Sequence, residues 1–213
     1  MCIHAERAGR CSLCFFVCHA GWFKCGKNIL EQNRTCYTRH MKKLKLIIVA
    51  GLPGSGKSTL AEELAEAISA PIFSVDPIES SLLKSGLKRS FETGLAAYLV
   101  AETLADEQLK CGLSVIIDAV SAVQEAREMW HSLASKHAAT QIIIECVVDK
   151  ELHRQRIESR VRNMYGIPEV TWGDVETRRE TYLPWQEERL VLDTSLAHEG
   201  SVKQALEYIH LKE

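Results

Sequence analysis

The chain has 213 residues, 46% hydrophobic and 25% charged, ordinary values for one globular domain with a short appendage. No run approaches the ~18 apolar residues of a helical membrane span, and the net charge of -2 gives no sign of nucleic-acid or membrane binding.

That net charge conceals an asymmetry. Residues 1–45 carry nine Lys/Arg against Glu6 and Glu31, a balance of +7, which leaves -9 for residues 46–213. Six of the eight cysteines (Cys2, Cys11, Cys14, Cys18, Cys25 and Cys36) precede residue 41. The first forty residues show no period of 3.6 or 2, and no apolar h-region followed by a cleavage site. Residues 1–43 are therefore expected to be an extension, either disordered or lying upstream of a true start at Met41. Cys11-x-x-Cys14 with Cys18, His19 and Cys25 could supply zinc ligands, but the second Cys pair of a known module is missing. Cys111 and Cys146 lie in apolar runs and read as small buried hydrophobes. Two cysteines in the larger part suggest a reducing, cytoplasmic setting.

From residue 44 the pattern alternates. Leu44–Ala50 is nearly continuous apolar sequence ending in glycine, as in a strand covered on both faces. Leu60, Leu64 and Ile68 then recur at helical spacing. Residues 71–75 predict a second strand that ends at Asp76. A helix over 93–111 is stopped by Gly112, and a third strand over 113–117 ends at Asp118. A helix follows over about 121–137, then a strand over 141–148. Residues 150–162 predict an Arg-rich helix. Thr171 and Asp174 can cap another helix that reaches Tyr182. Residues 190–192 predict the last strand and 199–210 the last helix. Five strands separated by helices give an α/β fold over 44–213, a three-layer domain with a five-stranded parallel sheet flanked by helices.

Between the first strand and the next helix lies Gly51-Leu52-Pro53-Gly54-Ser55-Gly56-Lys57-Ser58, which satisfies Gly-x-x-x-x-Gly-Lys-Ser in its required strand-to-helix context. The glycines let consecutive N–H groups converge on phosphate oxygens, and the helix start adds unpaired donors and a positive dipole end. Lys57 should bridge the β- and γ-phosphates of ATP, Ser58 should ligate Mg²⁺, and Thr59 should lie near the α-phosphate.

In an open parallel sheet the ligand crevice lies at the carboxyl ends of the strands. Asp118 there is read either as a Mg²⁺-holding carboxylate or as a turn or cap residue. Asp76 is read as the base for an attacking hydroxyl, as the cap of a helix with Pro77 at its first position, or as both. Arg154, Arg156, Arg160 and Arg162 form either a solvated basic face or cations that close over the γ-phosphate. Helical spacing would set Arg156 and Arg160 on one face. Trp130, Trp172, Tyr182 and Trp185 read as packing residues, the eight histidines show no metal spacing, and Asp193-Thr194-Ser195 could line the adenine edge.

These motifs together resemble a group of P-loop kinases often labelled AAA family ATPase, similar to chloramphenicol phosphotransferase, gluconate kinase, zeta toxins and the kinase half of polynucleotide kinases. The matching features are residues 51–59, Asp76, Val-Ile-Ile-Asp-Ala (115–119), His153–Arg162, Thr171–Trp185 and Leu-Asp-Thr (192–194). The resemblance implies ATP-dependent phosphorylation of a hydroxyl, with Asp76 as base and an arginine of 154–162 as lid cation. Relatives often carry an arginine three residues after that aspartate, where this chain has Glu79. That departure leaves the acceptor, whose pocket is expected from residues of about 76–100 and 119–125, without a named class; a small molecule is expected, and the acidic balance speaks against nucleic acid. The alternative is an ATPase or switch acting on a protein partner. A monomer or homodimer is expected.

Overall fold

A computed structural model describes residues 43–195 and 198–212; the expectations for the first forty residues and their cysteines fall outside them. Five strands form one parallel sheet in the order β2-β3-β1-β4-β5: β1 Lys45–Ala50, β2 Ile72–Ser74, β3 Val115–Asp118, β4 Thr140–Val147 and β5 Leu190–Asp193. Among the described residues seven helices connect them: α1 Lys57–Ile68, α2 Val75–Lys84, α3 Phe91–Lys110, α4 Gln124–Lys136, α5 Lys150–Ser159, α6 Trp172–Thr181 and α7 His198–Leu211. None of these helices is long and apolar enough to cross a membrane.

The unbroken apolar run of β1 follows from its position. As the central strand it feeds two cores, because successive side chains point to opposite faces. Leu46, Ile48 and Ala50 pack with Ala97, Ala101 and Ala105 of α3 and with Trp130 and Leu133 of α4. Ile47 and Val49 pack with Leu60 and Leu64 of α1 and with Ala205 and Ile209 of α7. The small residues of α3 recur every four positions, which gives that helix a narrow seam against the sheet.

Most elements fall where periodicity predicts them. Gly112 follows α3 with φ +77, as a helix-stopping glycine should. Thr171 caps α6 in a reciprocal capping box with Asp174. Trp130 and Trp185 are buried packing residues. Four expectations are corrected. Cys111 is exposed, because it follows the last turn of α3 rather than facing a core. Asp76 does not end a strand: β2 stops at Ser74, and Asp76 lies in the first turn of α2, one residue before Pro77. Ser74 holds the cap position, so Asp76 is not the cap and Pro77 is not the first helical residue. The Arg-rich helix ends at Ser159, and Arg160 has extended backbone (φ -81, ψ 146), so Arg156 and Arg160 do not share a helix face.

Candidate active site

Parallel register gathers the motifs at one end of the sheet. Asp118 pairs with Val49 on one side and with Ser74 on the other. It therefore sits between the strand that enters the Gly51–Ser58 loop and the strand that delivers Asp76. A crevice of about 640 Å³ opens there, lined among others by Gly56, Lys57, Ser58, Thr59, Asp118 and Thr194.

The loop's glycines are required by shape as well as by angle. Gly51, Gly54 and Gly56 all have positive φ (+145, +84 and +85). A Cβ on Gly51 would lie 2.5 Å from the Cys146 carbonyl oxygen, and one on Gly54 would lie 2.6 Å from Ile157 Cδ1. Gly56 occupies the position before α1 without a side-chain cap, and the first turn of α1 holds no acidic residue. Its leading N–H groups and dipole are thus open to an anion.

Lys57 and Asp118 are 5% and 6% exposed, with Lys57 Nζ 3.8 Å from Asp118 Oδ1. That carboxylate oxygen is buried and accepts no hydrogen bond. Such an atom is costly unless a cation or a water completes it. Ser58 lines the same crevice, and an all-oxygen donor pair of this kind suits Mg²⁺, which keeps most of its waters and takes few protein ligands. The N-cap reading of Asp118 is removed, since Val123 precedes α4.

Asp76 is paired with a cation of the crevice wall. Arg162 Nη1 donates to its Oδ2 at 2.7 Å. Burial pushes the Asp76 carboxyl up, but the Lys57 charge, the hydrogen bond and charge of Arg162 and the charge of Arg178 together hold it below the ordinary carboxylate range. Arg160 lines the same crevice, and its Nε and Nη2 are buried without an acceptor. Arg156 is committed elsewhere, donating to Thr194 Oγ1 at 3.0 Å and to the Thr194 carbonyl at 2.7 Å. Thr194 Oγ1 in turn donates to the Ser55 carbonyl at 2.8 Å. Arg154 pairs with Glu158 at the surface. Glu79, one turn beyond Asp76, faces Arg89 at 3.9 Å.

Residues 46–183 match a family model described as an AAA domain. The chain belongs to that family. It is 28% identical over 160 residues to the bifunctional polynucleotide phosphatase/kinase of Schizosaccharomyces pombe, an alignment covering 71% of this chain and 34% of the relative. The chain thus spans about a third of that relative's length. Among solved structures, a candidate kinase from Chloroflexus aurantiacus is 25% identical with a TM-score of 0.67, covering 81% of this chain and all of the other. A gluconokinase from Sinorhizobium meliloti shares the fold at 16% identity and a TM-score of 0.59, covering 78% and 92%. The domain has a P-loop kinase fold.

Within this AAA domain, Gly54, Gly56–Thr59, Asp118, Arg156, Arg160 and Arg162 line one crevice, and Asp76 is tied to it through Arg162. Gly51, Leu52 and Ser55 line a separate cavity beside Cys146 and His153, and Arg154 lies outside both. Two contributors lie within segments the resemblance singles out, His153–Arg162 and Thr171–Trp185, but are given no role of their own there. Arg178 acts on Asp76 from α6. His153 is 1% exposed and braces the loop through a 2.7 Å contact from Nε2 to the Pro53 carbonyl. The histidine makes no metal-like spacing, and its place at the head of the His153–Arg162 segment is the one signal the sequence carries for it.

Proposed function

We propose that the domain transfers the γ-phosphoryl group of ATP to a hydroxyl of a small-molecule acceptor. The observation that carries this reading is the convergence of Lys57, Asp118, Arg160 and Arg162 on a crevice lined by the glycine-rich loop, with an ionised Asp76 held by Arg162. The loop N–H groups and Lys57 would hold the β- and γ-phosphates, while Ser58 and Asp118 would hold Mg²⁺. When bound, the ion neutralises charge on the phosphate oxygens.

Asp76 accepts the proton of the acceptor hydroxyl as its oxygen bonds to the γ-phosphorus. The bond to the β–γ bridging oxygen breaks, and ADP leaves. Arg160 has buried donors with nothing to bind, which suits it to the transferring phosphoryl oxygens. Arg162 can pass from Asp76 to the same oxygens, freeing the carboxylate at the moment it is needed. Arg156, pinned to Thr194, fits the nucleotide end of the crevice better than a moving lid. Kinase relatives and kinase neighbours support the reaction class. The acidic balance of residues 46–213 favours a small acceptor over nucleic acid.

Label transfer from γ-labelled ATP across a panel of sugars, nucleosides and aminoglycoside-like polyols tests the proposal. Product labelling should depend on one class of acceptor. Hydrolysis that ignores every acceptor would instead support the ATPase or switch reading.

A further inference from the structure

His153 lies outside the proposed chemistry, yet its surroundings are unusually specific. It is buried at the start of α5, and its two ring nitrogens face opposite ways. Nε2 is 2.7 Å from the Pro53 carbonyl, a group that can only accept. Nδ1 is 3.2 Å from Arg179 Nη2, a group that can only donate. Both contacts are satisfied by one form alone, the neutral ring protonated on Nε2. The Trp172 ring meets the imidazole edge-on at 5.4 Å between centroids, so α6 contributes two contacts to the same histidine. Gly54 adds the complementary feature: a Cβ there would collide with Ile157 and lie 3.4 Å from His153 Cδ2, so α5 presses directly on the loop's apex.

Resting on the nucleotide-binding reading above, we infer that His153 is a positioning residue that locks the phosphate loop to α6, setting the loop's conformation and the placement of the α6 arginines together. The lock has a chemical release. Protonation would turn Nδ1 into a donor facing the Arg179 guanidinium, losing one hydrogen bond and setting two like charges together. Burial, offset in part by the bond to Pro53, and then the charges of Arg179, Arg156 and Arg160 hold the ring's proton affinity below that of an ordinary histidine. Those three arginines, on α5, α6 and the segment after α5, are the charged groups acting on it. The lock is therefore closed at neutral pH and opens on acidification.

The test is the affinity of the full-length protein for Mg·AMP-PNP between pH 7.5 and 5.5, for wild type, His153→Gln and Arg179→Met. Glutamine keeps a donor for the Pro53 carbonyl but cannot titrate, and methionine removes the opposing charge. On acidification wild type should lose up to about 10-fold more affinity than either variant, the most that one group binding its proton no more tightly than an ordinary histidine can supply by pH 5.5. In unliganded wild type, ¹⁵N shifts of His153 should report the Nε2–H tautomer. Parallel pH profiles for wild type and both variants, or an Nδ1–H tautomer, would overturn the inference while leaving the transferase reading intact. If wild type binds no nucleotide at any pH, both fall together.

Discussion

At the residue scale, Asp76 shows how opposing effects are resolved. Burial favours its protonated form, but Lys57, Arg162 and Arg178 outweigh burial and keep it ionised. A base of lowered pKa stays competent down to lower pH, so removing a cation should raise the acid limb of the kcat/KM profile. Arg162→Gln is expected to move that limb upward with ATP affinity reduced only modestly; a pH–rate profile checks it. A limb left in place would mean that Arg162 does not act on the base. Arg127 is a different case. It is 1% exposed, donates to the carbonyls of Ser121, Pro184 and Leu183, and lies 4.0 Å from the Trp185 ring centroid. It ties the chain after α6 and the Ser121 turn to α4. Arg127→Ala should cost about 3 kcal/mol, seen as a lowered Tm, because three carbonyls lose their donor. The phosphate loop was legible in the sequence because its residues are contiguous and each is forced by backbone shape. The Asp76–Arg162 pair was not, since 86 positions separate the partners and no local rule selects Arg162 from four arginines.

At the scale of elements, the segment between α5 and α6 lies along one face of α2. Asp76, Ser80 and Leu83 stand one and two turns apart and receive Arg162, the Tyr165 carbonyl and Gly166 in turn. Gly166 has φ +71, and a Cβ there would come within 2.9 Å of Leu83 Cδ1. Gly166→Val should lift this segment from α2, increasing protease cleavage within 160–170 while the main unfolding transition moves little. Equal protease resistance in the variant would contradict the packing. The same contacts explain why the Arg-rich helix is shorter than its pattern suggests. No Gly or Pro follows Ser159 until Gly166, so the sequence offers no local stop. Glu169 instead accepts from the N–H groups of Arg162 and Asn163 at 2.8 and 3.1 Å, replacing helical bonds with tertiary ones. The position of Asp76 was misplaced for a related reason. Pro77 is acceptable anywhere in the first turn of a helix, so it marked that turn without fixing the exact start.

At the scale of the whole molecule, the alternation of strands and helices made a parallel sheet with two covered faces legible, because a strand buried on both sides must be continuously apolar. The strand order was not, since it depends on which way each crossover turns. The end of the sheet opposite the crevice has its own fastening. Asp106 of α3 pairs with Lys110, and with Lys136 and His137 at the end of α4. Hydrogen bonds from Lys110, Lys136 and His137 hold Asp106 well below the ordinary carboxylate range. A depressed carboxyl stabilises the fold above its unfolded pKa and loses that contribution as pH falls toward the native value. Asp106→Asn should therefore lower Tm at pH 7, by a margin that narrows below about pH 4; thermal melts across pH check it, with exposed Lys136 and Lys110 keeping the effect modest. The two ends thus divide the work, one holding the helices to the sheet and the other gathering loop, carboxylates and cations. The most direct test of that second role is Asp76→Asn, with Mg·ATP binding and single-turnover phosphoryl transfer measured on the same preparation. The proposed chemistry requires nucleotide affinity to stay within a few-fold of wild type while transfer falls by about 10²–10⁴-fold. Transfer at the wild-type rate would contradict it.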